Sequence, residues 1–221
     1  MNMMRVLLTA LAALSLAIAL GVAEAKEKPK PKGPKPGQLT QDDLRTCMGL
    51  NNSTPKQQVP ACTKIIKSGN VKHPYEADYY ATRGAAYFAM GKLDEALADL
   101  NKAISARQGP EFYFQRGLVH MARAETPDAK ADLDQVIKLK PDFAPAFMMR
   151  GVVAYQAAEY ADAVKYFDGA VNRVPTYYQA LYARGAAKKK AGDNSGEKDM
   201  AEARGMSAKV DADMKKLGIT L

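Results

Sequence analysis

The chain has 221 residues, with 32 Lys and Arg against 24 Asp and Glu, a formal net charge of +8 and an apolar content of 47%. Two Cys and two His are too few for a Cys-rich zinc module, which needs four ligands at close spacing, and this much apolar content does not suit a wholly disordered chain. The basic excess raises the question of nucleic acid or an anionic surface.

Residues 1–25 read as a secretory signal peptide. Arg5 precedes an uncharged run of 17 residues from Val6 to Val22, and Ala23-Glu24-Ala25 has the small-x-small form of a cleavage site. The run is short for a bilayer span of roughly 20 residues; an uncleaved anchor is the alternative reading. No Cys follows it closely, so a lipid-attachment site is missing. The predicted location is therefore periplasmic or secreted. Residues 26–38 form a tether, with five Lys, four Pro and one Glu between Lys26 and Gly37. Its prolines favour an extended polyproline II chain. Half of the net charge is confined there. The tether is either a solvated spacer or a contact to anionic lipid or cell-wall polymer, near which each clustered Lys gains about 1 kcal/mol.

Most of the remaining chain is repetitive. Arg83-Gly84, Arg116-Gly117, Arg150-Gly151 and Arg184-Gly185 recur at spacings of 33, 34 and 34. Twelve residues after each Gly stand Ala96, Ala129 and Ala163, with Glu197 in the fourth unit. Sixteen after stand Leu100, Leu133 and Phe167, with Ala201 in the fourth; nineteen after stand Ala103, Val136 and Ala170. Pro141 and Pro175 come 24 after the second and third Gly.

This register resembles the tetratricopeptide repeat, whose pattern has Gly at position 8, an aromatic at 11, Ala at 20, a large apolar residue at 24, Ala at 27 and Pro at 32. The resemblance covers residues 77–208 as four units. It implies an all-α fold, an α-solenoid of stacked helix-turn-helix hairpins. Small residues at positions 8 and 20 let the two helices of a unit cross closely, with Tyr87 and Phe167 filling space nearby, and Pro ends the second helix. One hairpin cannot bury its apolar face alone, so neighbours must stack. Position 11 departs from the pattern at His120, Ala154 and Lys188, and the fourth unit, without Ala at position 20, reads as degraded.

Residues 39–76 fit the same register loosely, as a divergent hairpin followed by a loop. A first helix from about Asp42 has Thr40 as its N-cap. The register places Cys62 in a core slot and Cys47 on the helix facing it, and an exported chain meets an oxidising compartment, so a structural disulfide is expected rather than a redox pair. Closing a loop of this length is worth roughly 3 kcal/mol in the chain-entropy model. His73 falls in the loop at 69–76 and reads as a surface residue. Beyond the repeats, Met206, Val210, Met214 and Leu217 recur at helical spacing; residues 209–221 are expected to cap the last repeat, with a partner-binding helix as the alternative.

The resemblance also implies an inner groove lined by the first helix of each unit. The positions that line it in the family hold Phe88, Phe114, Leu118, Met121, Met148, Val152, Tyr155 and Tyr182 here. Such a set suits an adaptable apolar groove for a peptide or helix, although part of it could be core between repeats. The four Arg at position 7 form a ladder that is either a basic track or, since Asp99 and Asp132 recur at position 23, a set of internal ion pairs. Lys188, Lys189 and Lys190 read as a solvated face, and His120 as a hydrogen-bonded interior residue. No nucleophile elbow, phosphate loop, dinucleotide fingerprint or metal-ligand spacing is found, so neither an enzyme nor a cofactor or metal site is expected. No base-reading motif points to nucleic acid. The expected partner is a protein or peptide of the cell envelope.

Overall fold

The computed structural model describes residues 38–69 and 75–220. The signal peptide, nearly all of the tether and His73 lie outside the described residues. Among the described residues there are eleven helices and no strand. None of these helices is long and apolar enough to cross a membrane. From Leu39 onward the chain forms one compact unit.

The helices are α1 (Gln41–Cys47), α2 (Pro55–Lys67), α3 (Glu76–Ala89), α4 (Leu93–Ala106), α5 (Pro110–Ala122), α6 (Thr126–Leu139), α7 (Ala144–Gln156), α8 (Tyr160–Arg173), α9 (Tyr178–Lys190), α10 (Gly196–Met206) and α11 (Val210–Lys216). Each helix from α1 to α10 packs on the next one in sequence, which is the α-solenoid expected from the repeat.

α1 starts at a capping box: Thr40 Oγ1 accepts the Asp43 amide at 3.1 Å, and the Asp43 carboxylate accepts the Thr40 amide at 2.8 Å. α2 begins with Pro55 at N1, where a missing amide costs nothing. The disulfide joins Cys47 to Cys62, and Lys64 adds a 2.6 Å ion pair to Asp43. That cation is the main reason the Asp43 carboxyl lies below its ordinary pKa.

In the four later hairpins the turn after the first helix is one motif used four times. Gly91, Ala124, Ala158 and Gly192 all have positive φ. The next amide in each case (Lys92, Glu125, Glu159, Asp193) reaches back 2.9 Å to a carbonyl five residues earlier. This is a Schellman-type stop, in which the left-handed residue reverses the chain.

The core alternates small and large residues. Ala96, Ala129 and Ala163 are fully buried, as are Leu100, Leu133, Phe167, Ala103, Val136 and Ala170. Gly151 shows why position 8 is small: a Cβ there would lie 2.6 Å from the Phe167 ring.

The fourth unit is not degraded. Its second helix has lost one residue in the first turn, between Asp193 and Gly196. Counted with that shift, Gly196 takes the place of Ala96, Met200 that of Leu100 and Ala203 that of Ala103. All three are buried, whereas Ala201 is exposed. The count that put Ala201 at position 24, and with it the reading of a degraded unit, is corrected accordingly.

Candidate binding face and its arginine ladder

The arginine ladder is internal. Arg83 grips Asp99 with two bonds of 2.7 and 2.8 Å, and Arg116 grips Asp132 with bonds of 2.8 and 2.7 Å. Arg184 makes the same bidentate contact with Asp199, at 2.7 and 2.8 Å, because the one-residue deletion moves Asp199 into the place of Asp132. The bonded carboxylates raise the pKa of Arg83, Arg116 and Arg184, and the pairs are half-buried or better.

The third guanidinium nitrogen of each Arg bonds the preceding hairpin. Arg83 donates to Thr63 at 2.8 Å, Arg116 to Asn101 at 2.6 Å and Arg184 to Asp168 at 2.9 Å. Arg150 varies the theme: it donates to Asp134 at 3.0 Å and lies 4.4 Å from the centroid of the Tyr166 ring, where the other units have Asp. Thr63, Asn101, Asp134 and Asp168 occupy one equivalent position, just after the large core residue of the second helix. The ladder therefore staples each hairpin to the one before it, and it presents no free basic track. Lys188 and Lys189 are engaged as well, with Asp199 at 3.0 Å and Glu197 at 2.5 Å.

His120 lies 2.7 Å from Glu125, and Glu125 also accepts Arg123 at 2.7 Å. These contacts, that from His120 foremost, hold the Glu125 carboxyl below its ordinary pKa. His120, Glu125 and Asp128 could offer three ligand atoms within 4.8 Å of one another. The Arg123 charge on Glu125 opposes a cation there, and the contacts present among these side chains are those of a hydrogen-bond network.

The eight groove residues divide into two groups. Phe88 on α3 and Phe114, Leu118 and Met121 on α5 are partly exposed. Phe114 meets Phe143 edge to face at 5.2 Å, beside a cleft also lined by Pro110, Glu111, Gln115 and Lys140. Met148, Val152, Tyr155 and Tyr182, on α7 and α9, are buried, with Tyr155 the most exposed of them at 6%. They do not line an open groove in this structure; for these four the alternative left open by the sequence, core between repeats, is what the structure shows. All four belong to one apolar cluster with Val210, Met214 and Ile219, and the segment from α11 to Thr220 lies directly on Tyr182 and Tyr155. Burial raises the pKa of the Tyr155 and Tyr182 hydroxyls. Of the helical stripe expected to cap the last repeat, Val210 and Met214 are buried, while Met206 is 45% exposed. Ile219, outside that spacing, was the residue the stripe missed.

The tetratricopeptide repeat model matches residues 77–109. A comparison with curated proteins returns no match. Solved structures do resemble the chain. A crystal structure of MamA is 20% identical, with a TM-score of 0.66 over 78% of this chain and 97% of that one. MamA 41-end from Desulfovibrio magneticus RS-1 is 12% identical, with a TM-score of 0.67 over 77% and 98%. YrrB, described as a TPR protein with an unusual peptide-binding site, is 16% identical, with a TM-score of 0.62 over 79% and 88%.

Proposed function

Because the chain is a tetratricopeptide-repeat protein, we propose that it is an exported, non-enzymatic interaction module that receives a peptide or helix of a cell-envelope partner on its inner face. The observation that carries this reading is the row Phe88, Phe114, Leu118 and Met121. These apolar side chains stand partly exposed on the first helices of two adjacent hairpins. Partly exposed apolar side chains on successive first helices support a contact surface along that face. Aromatic, Leu and Met side chains suit an adaptable apolar partner segment. YrrB, which shares the fold, is itself described as binding peptide.

Export is supported by the Arg5, Val6–Val22 and Ala23-Glu24-Ala25 pattern, and by the Cys47–Cys62 bridge, which persists in an oxidising compartment. A non-enzymatic role is supported by the side chains that could do chemistry. The ladder arginines, Glu125 and Asp199 are all engaged in pairs that hold the scaffold together.

The test is cross-linking in intact envelopes with the native chain and with a Phe88→Asp, Leu118→Asp double variant whose circular dichroism is native. The variant should lose its cross-linked partner. Equal capture by both chains would refute the reading.

A further inference from the structure

The cover on α7 and α9 is placed in an unusual way for a cap. Each earlier hairpin sets its first helix against the second helix of the hairpin before it. α11 turns instead toward α9, and the residues after it run back to α7. Tyr182 donates its hydroxyl to Asp211 at 2.7 Å. Gln156 donates to the Leu217 carbonyl at 2.9 Å, and the Tyr155 hydroxyl to that of Thr220. Three polar groups on the first helices of the third and fourth units therefore address one short segment. The segment inserts Val210, Met214 and Ile219, exposed by 0, 1 and 2%. The arrangement is a peptide seated in a groove, with side-chain anchors and carbonyls held by fixed donors.

We propose that the third and fourth units form a docking groove occupied by residues 210–220 in the resting chain, and that its external ligand is a short amphipathic helix of the same chemistry, which enters by displacing them. The ligand carries two apolar residues four apart, an acidic residue directly after the first of them, and an extended apolar end. This inference rests on the reading of the chain as a peptide-binding module and names a partner class for the covered half of the face. The acidic residue is specified because Asp211 accepts from both Tyr182 and Arg204.

The segment is built to leave. α11 has seven residues, too few for a helix stable by itself, so it keeps its form only while docked. Its ion pair to Arg204 is largely exposed, and such pairs contribute little. The opposite end of the solenoid is closed by a disulfide. Here the hold consists of three apolar anchors and a few hydrogen bonds.

Two measurements on the full chain decide the matter. The first is binding of a labelled synthetic peptide of residues 207–220 to the native chain and to Met214→Asp, which weakens the resident segment. The variant should bind at least about ten-fold more tightly, because its groove is vacated more often. Equal binding, or none to a variant of native helicity, overturns the proposal. The second needs no variant. Hydrogen exchange in the native chain should release the Leu217 and Ile219 amides, both bonded to the Met214 carbonyl, well before those of α9. Exchange of both regions together, through one shared unfolding, overturns the proposal even if Met214→Asp does not fold. Neither measurement touches the partly exposed residues around Leu118, so a negative result here leaves the open-face reading standing, and a failed capture there leaves this one.

Discussion

Gly185 of α9 and Gly196 of α10 meet backbone to backbone, each with its carbonyl oxygen against the other's Cα. A Cβ on Gly185 would press on the Gly196 carbonyl and lie 2.7 Å from Met200 Cγ. Ala at this point has nowhere to go, since the obstacle is main chain. Gly185→Ala should therefore destabilise the chain by about 3 kcal/mol in urea unfolding, against the helix propensity that normally favours Ala. Gly117→Ala is the control. Its Cβ would meet only side-chain atoms, Leu133 Cγ at 3.3 Å and Asp132 Cβ at 3.4 Å, and the change should stay within about 1 kcal/mol of native.

The four equivalent turns divide by residue: Gly91 and Gly192 take positive φ without strain, whereas Ala124 and Ala158 hold φ of 58° and 59°. A left-handed conformation costs Ala about 1–2 kcal/mol, and glycine gives back part of that through its looser unfolded chain. Ala124→Gly should raise stability by about 0.5–1 kcal/mol and Gly91→Ala should lower it by a similar amount, both read as urea midpoints.

Burial separates the ion pairs that matter. Asp132 is only 6% exposed in its pair with Arg116, and Asp94 is 86% exposed in its pair with Arg123. Asp132→Ala strands a guanidinium between two hairpins and should cost about 2 kcal/mol, since hydrogen bonds to charged groups contribute about 1.5–3 kcal/mol. Asp94→Ala should change stability by less than about 0.5 kcal/mol. Chemical denaturation of the two variants checks the contrast.

Asp211 gives a pH signature. The Arg204 guanidinium and then the Tyr182 hydroxyl lower its pKa from the ordinary 3.8 to about 2. A carboxyl depressed by folding contributes stability above its unfolded pKa and loses it as pH falls through the folded value. Protection of residues 210–220 against hydrogen exchange should therefore weaken as pH drops from about 4 to 2. A carboxyl NMR titration of Asp211 should show a midpoint near 2 that returns toward the ordinary value in Arg204→Ala.

Much of the fold was legible because the repeat imposes one local solution on every unit. The Gly, Ala and large apolar residues at fixed spacing mark where two helices cross, and Asp99 and Asp132 stand at the spacing that lets Arg83 and Arg116 reach them. The fourth unit misled because counting from Gly185 assumes an unbroken register. The run Asp199-Met200 followed by Ala203 repeats Asp99-Leu100 followed by Ala103 one residue early, and that signal would have revealed the deletion.

Local chemistry accounts for the hairpins, their small crossing residues, the Schellman turns and the paired cysteines, because each depends on residues close in sequence and repeated in kind. The state of the inner face depends on contacts of another sort. Tyr155 meets Thr220 across 65 residues, and Gln156 meets Leu217 across 61. No periodicity links those positions, and Ile219 lies outside the stripe that marks the cap. Met121 and Tyr155 hold the same repeat position, yet Met121 is partly exposed while Tyr155 is buried with its hydroxyl on Thr220, and only the folded chain, returning on itself, makes that contact.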